Sequence, residues 1–141
     1  MNYWLAKSEP NEYSWNDLLK DGSSVWDGVR NYQARNNLRQ MKKGDYLLFY
    51  HSNIGQEIVG IAKVVKEFFQ DPTTKDRRWL SVKISPVQSL KHPVTLRKIK
   101  ANPKLLNMAL VKQSRLSVMP VTKEEFNWII SLSYQDEKSL P

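Results

Sequence analysis

The chain has 141 residues, of which 40% are hydrophobic and 26% are charged, and it contains no cysteine. This length and composition are typical of one globular domain, and the lack of cysteine excludes disulfides, thiol nucleophiles and cysteine-ligated metal sites. The formal net charge of +8 is compatible with a polyanionic partner such as nucleic acid, although solubilising surface charge explains it equally well.

The predicted elements of the first half are short and are bounded by turn and capping residues. They are a strand at 3–7, a helix from Ser14 to Gly22, a turn at 25–28, a helix over 32–41 begun by Asn31, and strands at 46–51 and 58–67. Asp17 lies three residues after Ser14, which is the spacing of a helix N-cap pair. The run at 46–51 is continuously apolar, which indicates a buried strand, and we expect it to form a hairpin with 58–67.

The second half is interrupted by prolines and is rich in basic residues. Its predicted elements are a charged loop at 71–78, a strand at 79–84, a basic helix at 95–101, an apolar turn or helix at 105–110, a strand at 117–121 and a helix opened by Thr122. Thr122 and Glu125 have the spacing of a capping box, and Phe126, Ile129 and Ile130 form a buried stripe. Because strands and helices are mixed without βαβ alternation, we predict an α+β fold with a largely antiparallel, partly closed sheet.

Signatures of catalysis are absent from the sequence. It has no glycine-rich phosphate loop, no dinucleotide-binding motif and no nucleophile elbow. Asp45, His51 and Ser52 carry the groups of a catalytic triad, but neighbouring residues of a strand point to opposite faces, so His51 and Ser52 would not meet. His51 and His92 lack the spacing of a metal site, and we expect neither a metal nor a cofactor. We therefore expect a binding protein rather than an enzyme.

The segment that begins at Trp26 combines an aromatic side chain with closely spaced polar ones. The polar residues that follow are Arg30, Asn31, Tyr32 and Arg35. A nucleobase has a flat π-face and a hydrogen-bonding edge, so a pocket for one base needs an aromatic wall with amide, hydroxyl or backbone partners. The alternative is that Trp26 is a core tryptophan, but the helix start is too polar for a purely structural helix.

Two further polar clusters lie beside apolar runs. His51, Ser52 and Asn53 end an apolar strand, where binding residues are common, although a hairpin turn explains them equally well. The block at 112–115 lies between two apolar runs, which is typical of a cavity lining and also of a solvated connection.

Several segments of the chain resemble one known family. They are residues 3–10, 13–15, 25–39, 48–53 and 113–118. On these residues the chain is similar to the EVE domain over about 2–132, so we assign 1–133 to that domain and 134–141 to a polar tail. The resemblance implies a PUA-like fold, which is a small twisted, mostly antiparallel β-barrel with surrounding helices. It also implies kinship with the YTH domain, which reads methylated adenine in RNA.

The resemblance implies a set of site residues as well. Trp26 matches the first aromatic wall of the YTH cage, and Ser8 lies where the base edge is contacted. The other pocket residues that it implies are Lys7, Arg30, Asn31, Tyr32, Arg35, His51, Ser52, Gln113, Ser114 and Arg115. Candidates for contacts with phosphate are the basic residues Arg77, Arg78, Lys98, Lys100 and Lys112.

The YTH cage has further tryptophans in the loop after the second hairpin strand, and the corresponding loop at 68–78 contains none. Trp79 opens the next strand and is assigned to the core, while Phe68 and Phe69 are alternative walls. A modified cytosine, which the resemblance also implies as a ligand, fits such a smaller pocket better than methylated adenine does.

We therefore predict a non-catalytic reader of a modified base, either a modified cytosine or another methylated base, in DNA or RNA. The alternatives are an enzyme that acts on a modified nucleotide, with His51 or Asp27 as general acid or base, and a small-molecule sensor. We expect nucleic acid as the partner and a monomeric protein. No stretch is apolar enough to span a membrane and the start lacks a secretory signal, so we expect a cytoplasmic location.

Overall fold

The computed structural model describes residues 1–135, which form one six-stranded sheet with helices around it. The strands are β1 (Tyr3–Ser8), β2 (Ser24–Trp26), β3 (Tyr46–His51), β4 (Glu57–Gln70), β5 (Leu80–Thr95) and β6 (Val118–Val121). The helices are α1 (Trp15–Asp21), α2 (Tyr32–Gln40), α3 (Leu96–Lys100), α4 (Ala109–Lys112) and α5 (Lys123–Ser133), with a 3₁₀ helix at Pro103–Leu105. These elements confirm the predicted α+β class.

The strand order across the sheet is β2-β5-β4-β3-β1-β6. β1 and β3 are parallel and the other neighbours are antiparallel, so the predicted β3–β4 hairpin and the largely antiparallel sheet are confirmed. The predicted barrel is not confirmed, because the edge strands β2 and β6 do not pair with each other within residues 1–135. Closure requires matched tilt and stagger around the whole sheet, and edges of three and four residues offer few groups for it.

The three predicted helix starts are confirmed. The Ser14 hydroxyl accepts the backbone N–H of Asp17 at 3.1 Å, and the Asp17 carboxylate accepts the N–H of Ser14 at 2.9 Å, which completes a capping box. Thr122 and Glu125 form the same box at the start of α5, and the Asn31 side chain caps α2. Each signal is local, because a cap satisfies N–H groups only two or three residues away.

The predicted turn at 25–28 is wrong in its first half, where the chain forms the edge strand β2. Ser24 pairs with Ile84 and Trp26 pairs with Val82 on β5. A strand of three residues is too short to produce an alternating pattern, so its existence depends on the partner strand.

Strand β5 has 16 residues, against six in the strand predicted at 79–84, because it continues beyond Ile84 and through Pro86. Pro86 lies opposite Ala62, next to a shift in the register between β4 and β5. A proline has no backbone N–H for hydrogen bonding between strands, and at a register shift one such hydrogen bond is missing anyway.

Helix α2 has a structural face that its polar sequence concealed. Ala34 and Leu38 are completely buried in the main core, four residues apart on one side of the helix. The expectation that this helix is too polar to be structural was therefore wrong, because two apolar positions suffice for a nine-residue helix that lies against the sheet.

A buried carboxylate joins the start of the chain to the turn before β3. Asp45 accepts hydrogen bonds from Trp4 Nε1 at 3.0 Å and from the backbone N–H groups of Asn2 and Lys42 at 3.1 and 2.9 Å. Asp45 precedes β3 and His51 ends it, so the two cannot belong to one catalytic triad.

Helix α5 ends at Ser133, with Tyr134 as its C-cap residue. The predicted tail at 134–141 therefore begins where the helix ends, and its residues 136–141 lie outside the described residues.

Candidate functional site

A cavity of about 660 Å³ opens where the parallel strands β1 and β3 end, beside the edge strand β2. Its walls are formed by residues 7–9, 12–13, 24–30, 52 and 117. The volume lies within the range of roughly 300–1,000 Å³ that is common for small-molecule and cofactor sites. Parts of four loops and of the strands β1 and β2 thus converge on one space.

The cavity brings together five of the twelve predicted pocket residues. Those in its wall are Lys7, Ser8, Trp26, Arg30 and Ser52. The predicted residues that lie outside the wall are Asn31, Tyr32, Arg35, His51, Gln113, Ser114 and Arg115. The wall also contains residues that are not among the twelve, namely Glu9, Glu12, Tyr13, Ser24, Val25, Asp27, Gly28, Val29 and Ser117.

Trp26 belongs both to the cavity wall and to the core. Its side chain is only 8% exposed, and its ring meets the edge of Phe49 with centroids 5.5 Å apart and planes at 84°. Trp26 is therefore a core tryptophan that also borders the cavity. Its contact with a base stays a prediction. A fixed aromatic surface loses little entropy when a flat ligand stacks on it.

Lys7 connects the cavity to the segment before β6. Its ammonium donates to the carbonyl of Ser114 at 2.8 Å, and its backbone N–H donates to the carbonyl of Ser117 at 2.9 Å. Burial lowers the pKa of Lys7 from its ordinary value. Ser114, predicted as a pocket residue, thus lies outside the cavity wall and positions a cavity cation through its main chain.

Short hydrogen bonds hold the serine side of the cavity in place. The Ser8 hydroxyl donates to the carbonyl of Tyr13, and the backbone N–H of Ser52 donates to the carbonyl of Ser8 at 2.9 Å. The Asn53 amide donates to the Glu9 carboxylate at 2.6 Å across the same edge. The Ser8 hydroxyl donates its proton to Tyr13, but its oxygen keeps lone pairs and can still accept a hydrogen bond from a ligand.

The cavity carries charges of both signs. Lys7 and Arg30 supply cations, and the wall also holds the carboxylates of Glu9, Glu12 and Asp27. Carboxylates repel phosphate, whereas they accept hydrogen bonds from the exocyclic amino group of cytosine. The lining is therefore better suited to a base edge inside the cavity than to a phosphate.

Asp71 ties the rim of the cavity to the loop between β4 and β5. Its fully buried carboxylate accepts the backbone N–H of Gly28 at 2.8 Å, Arg30 Nη1 at 2.9 Å, and the N–H and hydroxyl of Thr73 at 2.7 and 2.6 Å. Burial alone would raise the pKa of Asp71, but these donors outweigh burial and lower the pKa to about 2. The sequence signals only the local Thr73 turn, since Gly28 lies 43 residues away.

His51 supports the start of α1 rather than the cavity. Its Nε2 accepts the backbone N–H of Trp15 at 3.0 Å, and its ring meets the edge of Phe49. Burial lowers the pKa of His51 below its ordinary value of 6.5. The imidazole must be neutral at Nε2 for this hydrogen bond to exist.

We expect the stability of the protein to fall as the pH drops from 7.5 to 5.0, in part because of His51. A histidine whose pKa is lower in the folded state contributes its full stability above pH 6.5, and this contribution is lost as the pH falls through the folded pKa. Urea unfolding of His51→Gln should therefore depend less on pH than wild type over this range. His92→Gln is the matched control, and an equal change in both variants would contradict the assignment.

Tyr32 and Trp79 form an aromatic pair outside the cavity. Their ring centroids are 5.2 Å apart and their planes are inclined at 37°. Tyr32 is 52% exposed and Trp79 is partly exposed, so the assignment of Trp79 to the core was wrong. The reason is that Trp79 lies in the β4–β5 loop, one residue before β5 begins, where its ring contacts Tyr32 and the guanidinium groups of Arg30 and Arg78.

The predicted phosphate contacts are spread over different surfaces. Arg77 and Arg78 are exposed on the β4–β5 loop next to Trp79. Lys100 and Lys112 are also exposed, whereas the ammonium of Lys98 donates to the carbonyl of Gln135 at 3.2 Å. Their contact with phosphate stays a prediction.

Two other kinds of site have no candidate within the described residues 1–135. Among residues 1–135, no three His, Asp or Glu side chains cluster closely enough to hold a metal ion. Over the same residues, no helix has the length and apolar character that a membrane crossing requires.

The chain is similar to known proteins over nearly its whole length. The family model of the EVE domain matches residues 2–132. Thymocyte nuclear protein 1 of Mus musculus is 39% identical over 165 residues, covering 93% of this chain and 73% of that protein.

Two solved structures contain modified bases. Human THYN1 protein in complex with DNA containing 5-methylcytosine is 35% identical, with a TM-score of 0.90 and coverage of 96% of this chain and 99% of that one. The YTH domain of a Zygosaccharomyces rouxii protein in complex with N6-methyladenosine RNA is 19% identical, with a TM-score of 0.62 and coverage of 96% and 88%. The second similarity concerns the fold alone. On the family match and these identities, the chain belongs to the EVE domain family.

Proposed function

We propose that the chain is a non-catalytic module that binds nucleic acid and holds one modified base in the cavity. The observation that carries this proposal is the cavity itself, with Trp26 fixed in one wall and carboxylates and a serine hydroxyl at its polar edge. Stacking on an aromatic ring is sequence-tolerant, and the polar groups select the edge of the base.

A modified cytosine is the first candidate for this base. Human THYN1 protein, 35% identical to this chain, is solved with DNA containing 5-methylcytosine. The amino group of cytosine is a hydrogen-bond donor, and the carboxylates of Glu9, Glu12 and Asp27 can accept hydrogen bonds from it. A 5-methyl group would add apolar contact, for which Val25 and Val29 are available in the wall.

The base must leave its stack before it enters a cavity of this kind. A duplex hides the faces of its bases, so we infer that the ligand is either single-stranded or a base flipped out of a duplex. The phosphates on both sides of that base would then stay outside, where the cations of the exposed loops contact them.

A catalytic role has less support from the residues of the site. His51 is a candidate acid or base, but its Nε2 accepts the backbone N–H of Trp15 and its side chain does not line the cavity. Asp27 lines the cavity without a nucleophile or base that hydrogen-bonds to it in residues 1–135. A small-molecule sensor would use the same cavity but would not need the basic surface.

One experiment distinguishes these functions. Binding is measured for oligonucleotides with cytosine, 5-methylcytosine, adenine or N6-methyladenine, each single-stranded and duplex, at several salt concentrations. A reader prefers one modified base, returns it unchanged by mass analysis, and binds more weakly at high salt. An altered mass would indicate an enzyme. Salt-independent binding of a free nucleoside, with no gain from the strand, would indicate a sensor.

The cytoplasmic location, the monomeric state and the domain boundary at residue 133 stay predictions. Size-exclusion chromatography with light scattering tests the monomer directly.

A further inference from the structure

Tyr32 and Trp79 place two aromatic rings at the protein surface, the first exposed and the second partly exposed. Tyr32 is 52% exposed at the first position of α2, and its hydroxyl accepts a hydrogen bond from Arg78 Nη1 at 3.0 Å. Neither ring belongs to the main core. We call these two rings the Tyr32–Trp79 platform.

Three arginines surround the platform with their guanidinium groups over its rings. Arg35 lies 5.1 Å from the centroid of Tyr32, and Arg30 and Arg78 lie 5.6 and 6.0 Å from that of Trp79. Two of the arginines also pair with carboxylates, namely Arg30 with Asp71 and Arg78 with Asp76, which fixes their positions. The result is a pair of rings inclined at 37°, with guanidinium groups close to both of them.

The platform is connected to the cavity through Arg30. This residue lines the cavity and at the same time lies over Trp79. Asp71 strengthens the connection. Its carboxylate accepts hydrogen bonds from the Gly28 N–H and Arg30 Nη1 at the cavity rim, and its backbone N–H donates to the carbonyl of Trp79 at 2.9 Å. A strand that leaves the cavity past Arg30 therefore meets the platform next.

We propose that the Tyr32–Trp79 platform is a second binding site, which stacks the nucleotide next to the base held in the cavity. Bases stack on aromatic rings and on the planes of arginines, and guanidinium groups bind the phosphates between successive nucleotides. The occupant is thus a neighbouring, unpaired nucleotide of the same strand. This inference rests on the proposed function and adds to it that the ligand is a strand of at least two nucleotides.

The test compares a probe that fills only the cavity with one that reaches both sites. The probes are 5-methyl-2′-deoxycytidine 5′-monophosphate and a single-stranded pentanucleotide with a central 5-methylcytosine. In Tyr32→Ala the dissociation constant of the pentanucleotide should rise by about five- to one-hundredfold, because one base loses its stacking surface. The dissociation constant of the mononucleotide should not change.

Two further variants make the result specific to stacking. Tyr32→Phe keeps the ring and loses only the hydroxyl contact with Arg78, so it should bind the pentanucleotide nearly as wild type does. Trp128→Ala removes a ring on α5 that is 40% exposed and does not line the cavity, and it should change neither dissociation constant. Thermal unfolding checks that each variant is folded.

The platform is refuted if Tyr32→Ala binds the pentanucleotide as tightly as wild type. It is also refuted if both probes lose affinity by the same factor, since Tyr32 would then act on the cavity. A wild-type protein that binds neither probe would contradict the proposal that the cavity holds a modified cytosine, which is a different result from a change confined to the variant.

Discussion

Replacing Asp71 by Asn is expected to lower the free energy of unfolding by about 2–4 kcal/mol at pH 7. The carboxylate is fully buried and accepts four hydrogen bonds, including one from Arg30. An asparagine keeps one acceptor oxygen and turns an NH₂ group toward donors, so at least one donor loses its partner. Urea unfolding of the variant and of wild type measures the difference.

The effect of Asp71 should depend on pH in a defined direction. Its pKa of about 2 lies below the ordinary value of 3.8, so its contribution of about 2 kcal/mol is complete above pH 3.8 and is lost as the pH falls through 2. The difference between wild type and Asp71→Asn should therefore be smaller at pH 3 than at pH 7. A difference that does not change with pH would show that the carboxylate is not held in its charged form.

Asp76 provides the matched control for Asp71. It lies in the same loop and pairs with Arg78 at 2.6 Å, but the arginine side chain is 61% exposed. Exposed ion pairs contribute little to stability, so Asp76→Asn should unfold close to wild type. If both variants lose the same stability, the loop rather than the buried carboxylate is responsible.

Replacing Trp26 by Leu is expected to weaken the binding of a single-stranded 5-methylcytosine oligonucleotide by about 1–3 kcal/mol, or about five- to 150-fold. Leucine keeps apolar volume in the core but offers no π-face to the base. We choose Leu because truncating a buried aromatic residue to Ala typically costs about 3–5 kcal/mol of stability, which would confuse unfolding with lost binding. The slope of affinity against salt should not change, since no phosphate contact is removed.

Trp4 is the control for the loss of a buried tryptophan. It is 5% exposed, against 8% for Trp26, and it lies outside the cavity wall, where it donates to Asp45. Trp4→Leu should lose stability while its affinity for the oligonucleotide stays that of wild type. If Trp26→Leu binds as tightly as wild type, or Trp4→Leu loses equal affinity, Trp26 is not the wall that the base stacks on.

The candidate site was partly predictable from a single short segment of the sequence. Trp26 and Arg30 are four residues apart, and both were expected and both line the cavity. The cap residue Asn31 was expected in the pocket, but its side chain is used by α2. His51 was expected there too, but Trp15, 36 residues earlier in the chain, occupies its ring nitrogen.

The sequence by itself determined the helix starts, the α+β class, the family and the opening strand with its Lys7 and Ser8. These features depend on caps, apolar runs and local motifs, whose partners lie within a few residues. Only the tertiary structure decided that Trp79 packs against Tyr32 outside the core, and that the Asp71 carboxylate accepts the backbone N–H of Gly28. Both contacts join residues more than 40 positions apart, which no local pattern can indicate. For Asp71 the physical reason is that a buried carboxylate is unstable without hydrogen-bond donors, and the folded chain supplies one of them from Gly28.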